Sequence, residues 1–107
     1  MTVGAAASPS ADLADRVAIA VLGVPGVVGL HPGVFGEVAT YLPGRRVDGV
    51  RLRPDRSEVH LVLAWGAPAL PTAEAVRAAA SALTGTPVDV SVEDVADPAP
   101  HRLDQRG

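Results

Sequence analysis

A two-residue period in the hydrophobic pattern limits the fold of this 107-residue chain more than any other feature. From Val59 to Trp65 every second residue is large and apolar, and in residues 88–93 three valines alternate with Asp, Ser and Glu. Because successive side chains of a β-strand point to opposite faces of a sheet, such strands bury one face and expose the other. The chain must therefore supply a second layer that covers the apolar face.

A further strand is predicted at residues 47–53, where Val50 and Leu52 face one way and the intervening arginines face the other. Residues 54–57 have the composition of a turn, so this strand and the next one form a hairpin. Cross-strand pairing then brings four charged or titratable side chains to one face. They are Arg51, Arg53, Glu58 and His60.

Two amphipathic helices supply the covering layer. Residues 11–24 place apolar side chains at helical spacing, and Asp12 and Asp15 lie in the first turns, where negative charge suits the helix dipole. The second helix is expected to begin with Thr72 as its N-terminal cap and to end at the Thr-Gly-Thr-Pro of residues 84–87. Both helices are long enough to cover one face of a small sheet.

With a short strand at residues 27–31, the predicted order of elements is α-β-β-β-α-β. The predicted fold class is α+β, a two-layer sandwich in which two helices cover one face of a small mixed sheet. We expect a flexible N-terminus at residues 1–9, a single domain at residues 10–97 and a flexible C-terminal tail at residues 98–107.

Residues 32–44 are the hardest segment to assign, because they combine three glycines and two prolines with two of the three aromatic residues. We interpret the segment as a long ordered loop, and a strand at residues 37–42 within it is the alternative. Phe35 and Tyr41 either turn inward to extend an otherwise aliphatic core or stand outward as a contact surface. The sequence leaves both interpretations open.

Composition excludes several function classes. The chain has no cysteine, so disulfides, thiolate catalysis and cysteine metal sites are ruled out. Its formal net charge of −3 does not favour nucleic acid as a partner. The longest apolar run, residues 17–24, is far shorter than the roughly 20 residues of a membrane-spanning helix. We expect a cytoplasmic protein without direct membrane insertion, and association with a membrane through a partner stays open.

No catalytic or metal-binding constellation is recognisable. None of the three histidines has another at a ligand spacing of two or four residues, and neither Ser57 nor Ser91 lies in a Gly-x-Ser-x-Gly motif. His31 enters the glycine-rich segment six residues before Glu37 and leaves the most room for a chemical role. We therefore predict no enzyme activity, no cofactor and no metal.

Five of the nine arginines fall within residues 45–56. One interpretation is an anion-binding face for RNA, lipid headgroups or an acidic partner. The other, which the neighbouring acidic residues favour, is a solvated hairpin face whose arginines are paired with carboxylates. Arg45 and Arg46 are the expected exceptions, because they are adjacent, follow a Pro-Gly pair and have few evident strand partners.

A series of motifs spans residues 11–96: a helix, a Gly-Val strand start at residues 26–27, a hairpin ending in Trp65-Gly66, an Ala-rich helix and a Val-x-Val-x-Val strand at residues 88–92. This order resembles the alkaline-shock-protein family, also described as envelope stress response proteins. The family usually has Tyr-Gly where this chain has Trp-Gly. Residues 35–46 are similar to short actinobacterial members of that family.

The resemblance implies a non-enzymatic interaction or scaffold protein of cell-envelope homeostasis. It would act through self-association, as a homo-oligomer, or by binding family relatives or a membrane-anchored protein. The alternative is a small nucleic-acid-binding module that uses the arginine-rich hairpin. From the residues themselves we expect the partner-binding surface on the segment from His31 to Arg46 and the adjoining hairpin. The candidate contact residues are His31, Phe35, Glu37, Tyr41, Arg45, Arg46, Arg51 and Arg53.

Overall fold

The computed structural model describes residues 9–97. In chain order its elements are α1 Pro9–Leu22, β1 Val27–Leu30, β2 Ala39–Leu42, β3 Arg45–Asp48, β4 Val50–Arg51, β5 Ser57–Leu63, α2 Ala69–Thr84 and β6 Val88–Val95. The predicted α+β class is confirmed, and the predicted order is confirmed with one additional hairpin, β2–β3. The flexible termini predicted at residues 1–9 and 98–107 lie, apart from Pro9, outside the described residues.

Strand β5 is the centre of the main sheet. One side of β5 pairs antiparallel with β1 along residues 61–63 and with β4 along residues 58–59. The other side pairs parallel with β6 along its whole length. Helix α2 connects these two parallel strands, because parallel neighbours require a crossover connection. Strands β2 and β3 pair antiparallel beside the main sheet.

The hydrophobic core lies between the main sheet and the helices. Alternate residues of β5, from Val59 to Leu63, are buried against Val17 and Val21 of α1 and Val76 of α2. Burying an aliphatic side chain of this size contributes about 1.5–3 kcal/mol relative to leaving it in water. Both described helices pack on this face, so the predicted two-layer arrangement is confirmed. We call the other face of the main sheet the open face.

The single strand predicted at residues 47–53 is wrong. The chain breaks at Gly49, whose φ of +82° lies in the left-handed region that side-chain-bearing residues rarely adopt. Residues before the break pair with β2 through the Pro43-Gly44 turn, and residues after it form β4. The segment predicted as a loop at residues 32–44 therefore contains a strand, in agreement with the alternative interpretation.

Thr72 does not cap the second helix. The helix begins three residues earlier, at Ala69, and the N–H of Thr72 donates to the carbonyl of Pro68 at 3.1 Å. The side chain of Thr72 is buried, and a Cβ added to Gly26 would lie 3.1 Å from its hydroxyl. Thr72 therefore packs helix α2 against the turn that leads into β1.

Two residues predicted to face inward are exposed. Strand β5 ends at Leu63, so Trp65 lies in the following turn and is 66% exposed. Val92 of β6 is 39% exposed, at the point where the register between β5 and β6 shifts. The inward face therefore ends earlier on both strands than the two-residue period predicts.

Candidate functional site

The loop between β1 and β2 is closed by its own backbone. The N–H of Val38 donates to the carbonyl of Pro32 at 2.8 Å, and the N–H of Gly36 donates to the carbonyl of Gly33 at 3.1 Å. We call residues 31–38 the tip loop. Its conformation is fixed by hydrogen bonds within the loop, in contrast to a loop held only by its two ends.

Two predicted contact residues stabilise the tip loop from within. Nδ1 of His31 accepts the N–H of Gly33 at 3.0 Å, and the carboxylate of Glu37 accepts the N–H of Phe35 at 3.0 Å. A Cβ added to Gly33 would lie 3.0 Å from both carboxylate oxygens of Glu37. His31 and Glu37 therefore stabilise the conformation of the tip loop.

Both aromatic residues of this region stand outward. Phe35, in the middle of the tip loop, is 89% exposed, and its neighbour Val34 is 77% exposed. Tyr41 is 67% exposed on β2, directly opposite Arg46 of β3. The alternative in which they extend the core is therefore wrong, since large apolar surface is left in water on a segment whose backbone is ordered.

Arg45 and Arg46, the expected exceptions to pairing with carboxylates, both have acidic partners. Arg45 donates two hydrogen bonds to the carboxylate of Asp15 on α1, at 2.8 and 3.1 Å. These bonds, together with the attraction between the two charges, hold the pKa of Asp15 below its usual value of 3.8 and raise that of Arg45. Nε of Arg46 lies 2.8 Å from Oδ1 of Asp48, an ion pair whose angles are not those of a hydrogen bond.

Arg51 and Arg53 meet Glu58 on the open face, as the hairpin pattern predicts. Nη1 of Arg51 lies 3.6 Å and Nη2 of Arg53 lies 3.4 Å from the same oxygen, Oε2 of Glu58. Arg51 also donates to the backbone carbonyl of Glu37 at 2.5 Å. This second bond ties the tip loop to the main sheet.

The remaining arginine of residues 45–56, Arg56, donates to Asp89 of β6 at 2.7 Å. Each of the five arginines in this segment therefore faces a carboxylate. Because the local positive charge is compensated, the attraction that the segment exerts on phosphate groups is reduced. The geometry favours the paired hairpin face over an anion-binding face.

His60 lies between two carboxylates on the open face. Its Nδ1 is 2.5 Å from Oε2 of Glu93 on β6, and its Nε2 is 3.2 Å from Oε1 of Glu58. Only 13% of the His60 side chain is exposed. The contact with Glu93 links β5 to β6 through side chains on the open face. The link between His60 and Glu93 is not among the contacts predicted from the sequence.

An open depression of about 310 Å³ lies at one end of the main sheet. Its lining residues are Leu13, Leu52, Arg53, Pro54, Thr84 and Thr86. Arg53 is the one ionisable side chain in this lining, and arginine stays protonated at neutral pH. Elsewhere in residues 9–97, no three His, Asp or Glu side chains are grouped as a metal ion would require.

No family model, curated protein or solved structure matches the chain. Neither of the two helices within residues 9–97 combines the length and hydrophobicity needed to cross a membrane. The candidate functional surface is therefore defined by the geometry of this chain alone. It consists of the tip loop, the hairpin β2–β3 and the adjoining open face.

Proposed function

We propose that the chain is a non-catalytic interaction protein of cell-envelope homeostasis that acts by self-association or by binding a membrane-anchored relative. The cellular role rests on the resemblance of the motifs in residues 11–96 to envelope stress response proteins. The mode of action rests on the tip loop and on the way it presents Phe35.

The exposure of Phe35 is the single observation that carries the proposal. Leaving an aromatic side chain in water forgoes about 1.5–3 kcal/mol of burial free energy, which docking onto a partner recovers. Because hydrogen bonds already fix the tip loop, little conformational entropy is lost when the loop is immobilised in a complex. Aromatic residues on ordered segments are frequent energetic centres of protein interfaces.

Photo-crosslinking in cells that naturally produce the chain tests this proposal. A benzophenone-bearing amino acid replaces Phe35 in one variant and Leu70 in a matched control, since Leu70 is 78% exposed on α2. We expect products from position 35 that contain a second copy of the chain or a membrane protein of related sequence, and few from position 70.

Crosslinking of equal strength at both positions would contradict the assignment of the interface to the tip loop. Crosslinks from position 35 that consist mainly of RNA or ribosomal proteins would instead support the nucleic-acid alternative. The variant Phe35→Ala provides a second readout in the purified protein, where sedimentation measures self-association. Its fold should be unaffected, because Phe35 makes no contribution to the buried core.

A further inference from the structure

Strand β6 forms a long edge of the main sheet. It runs for eight residues, and among the described strands it pairs only with β5. An unpaired edge of this length presents a row of backbone donors and acceptors to which another strand can add. What this edge can bind depends on which backbone groups point away from β5 and on the charge of the side chains beside them.

The pairing with β5 identifies the free backbone groups. The N–H of Ser57 donates to the carbonyl of Pro87 at 3.0 Å, which fixes the phase of the hydrogen-bond ladder. Because a parallel ladder engages alternate residues of each strand, the residues of β6 that bond to β5 are the odd-numbered ones up to the register shift after Val92. Beyond the shift an even-numbered residue takes over, since the N–H of Ala96 donates to the carbonyl of Leu63 at 2.8 Å. Val88, Val90 and Val92 therefore direct their N–H and C=O groups away from β5. The carbonyl of Val88 is already occupied, because Nε of Arg77 donates to it at 3.2 Å.

The charged side chains of this segment are all acidic, and Arg77, which reaches Val88 from α2, is itself paired with Glu74. Residues 88–97 contain four acidic residues and no basic one. Asp89 is paired with Arg56, and Glu93 is paired with His60. Asp94 and Asp97 have no basic partner among residues 9–97, and Asp94 accepts only the N–H of the next residue, at 2.8 Å.

Two copies of β6 are poorly suited to pair with each other. Strand pairing between copies would bring their acidic side chains together on adjacent strands, where like charges are destabilising. An extended segment with basic side chains is complementary to this edge in two ways. Its backbone can add hydrogen bonds to the ladder, and its positive charges can face Asp94 and Asp97. Charge complementarity thus selects the occupant.

We propose that the outer edge of β6 binds an extended arginine- or lysine-containing segment of a partner protein as an added β-strand. The outward backbone groups of Val90 and Val92 hold the segment, and Asp94 and Asp97 select its charge. This edge lies on the opposite side of β5 from the tip loop. The inference is independent of the interface proposed at Phe35.

Titration of the full chain with synthetic peptides, followed by backbone NMR, tests the inference. The probe is an end-blocked octapeptide that alternates valine with arginine. One control peptide replaces arginine with glutamate, and a second keeps the arginines but carries N-methylated valines, which cannot complete the ladder. We expect amide shifts along β6 and a dissociation constant about ten-fold or more lower for the probe than for either control.

Charge reversal on the protein sharpens the test. Asp94→Arg should weaken binding of the arginine peptide by about ten-fold, since a rim charge near the bound strand is inverted. The matched control is Asp55→Arg, which makes the same change of net charge at an exposed residue of the β4–β5 turn. That control should change binding by no more than about two-fold at physiological salt.

A proline variant tests whether the backbone N–H groups of β6 bind the peptide. Val92→Pro removes an outward N–H and should abolish binding of the arginine peptide, whereas Val92→Ala should retain it. Equal binding of the N-methylated peptide, or equal weakening by Asp55→Arg and Asp94→Arg, would overturn the inference in favour of general electrostatic attraction. Discovery that β6 pairs with a second copy of β6 in the free protein would overturn it as well.

Discussion

The two edges of the main sheet are built differently. On one side of β5, β1 and β4 have four and two residues and are separated by Gly49, with a register shift in β1 between Val27 and Gly29. On the other side, β6 continues for eight residues and has one register shift, between Val92 and Asp94. Short strands, irregular register and covering loops are the usual means by which proteins blunt a sheet edge.

The part of this edge formed by Gly49 and β4 is also closed by hydrogen bonds, and we call this part the sealed edge. The N–H of Gly49 donates to the carbonyl of Val38 at 2.8 Å, and the hydroxyl of Thr40 donates to the carbonyl of Val50 at 2.6 Å. On the outer edge of β6, Arg77 donates to the carbonyl of Val88, whereas Val90 and Val92 direct their backbone groups outward beside acidic side chains. The difference teaches that hydrogen bonds close the edge at Gly49 and β4, whereas at Val90 and Val92 of β6 acidic side chains disfavour only strands of like charge.

The largest effect is expected for Gly49→Ala. A Cβ at this position would lie 2.8 Å from the carbonyl oxygen of His60 and 2.8 Å from Cβ of Leu30, with φ at +82°. Steric overlap and backbone strain together should lower the free energy of unfolding by about 3 kcal/mol or more, measured by urea denaturation.

Gly44→Ala is the matched control for Gly49→Ala. Gly44 also has a positive φ, +76°, but an added Cβ would meet nothing within 4 Å. Only backbone strain remains, so the loss should be about 1 kcal/mol. Similar losses for the two variants would show that close packing does not hold the sealed edge together.

Proline substitution on β6 separates inward from outward backbone groups. Ser91→Pro removes an N–H that the ladder directs toward β5, whereas Val92→Pro removes one that points outward. Loss of a buried hydrogen bond should make Ser91→Pro about 2 kcal/mol less stable than Val92→Pro in chemical denaturation. Equal losses would mean that the outer edge of β6 already has a hydrogen-bonding partner.

The sealed edge offers a smaller test at Thr40. Thr40→Val keeps the side-chain shape but removes the hydroxyl that satisfies the carbonyl of Val50. The free energy of unfolding should fall by about 1 kcal/mol, and Thr40→Ser should restore most of it. If the serine variant is no more stable than the valine variant, the hydroxyl does not close this edge.

The smallest effect concerns the ion pair that fastens the hairpin β2–β3 to α1. Because Arg45 lowers the pKa of Asp15 in the folded state, the pair contributes stability above the usual value of 3.8 and loses it as the pH falls through the lowered value. The stability difference between the native chain and Asp15→Asn should therefore shrink between about pH 6 and about pH 3. A constant difference over that range would contradict a role for the charged pair.

The layered fold follows from local patterns in the sequence. Helical spacing in α1 and the two-residue periods of β5 and β6 each determine a buried face, and two such helices fit one face of the sheet. The break at Gly49 is carried by a local signal as well, since Asp-Gly is a turn-forming pair. The regular spacing of Val50 and Leu52 outweighed it and extended the predicted strand across the break.

Some of the ion pairs can be predicted from the order of the strands, and others cannot. His60 and Glu93 both face outward on strands that a β-α-β unit makes neighbours, so their meeting could have been inferred. The pairing of Arg45 with Asp15 joins residues 30 positions apart on a hairpin and a helix. No local pattern gives the angle at which these two elements cross, and this pair therefore required the tertiary structure.

Amide hydrogen exchange in the free chain tests the central difference between the two edges most directly. The N–H group of Gly49, which donates to the carbonyl of Val38 at the sealed edge, should exchange slowly. Those of Val90 and Val92 should exchange rapidly, while that of Ser91 between them is protected. Protection of Val90 and Val92 as strong as that of Ser91 would contradict the account, because the outer edge of β6 would then not be free to receive a strand.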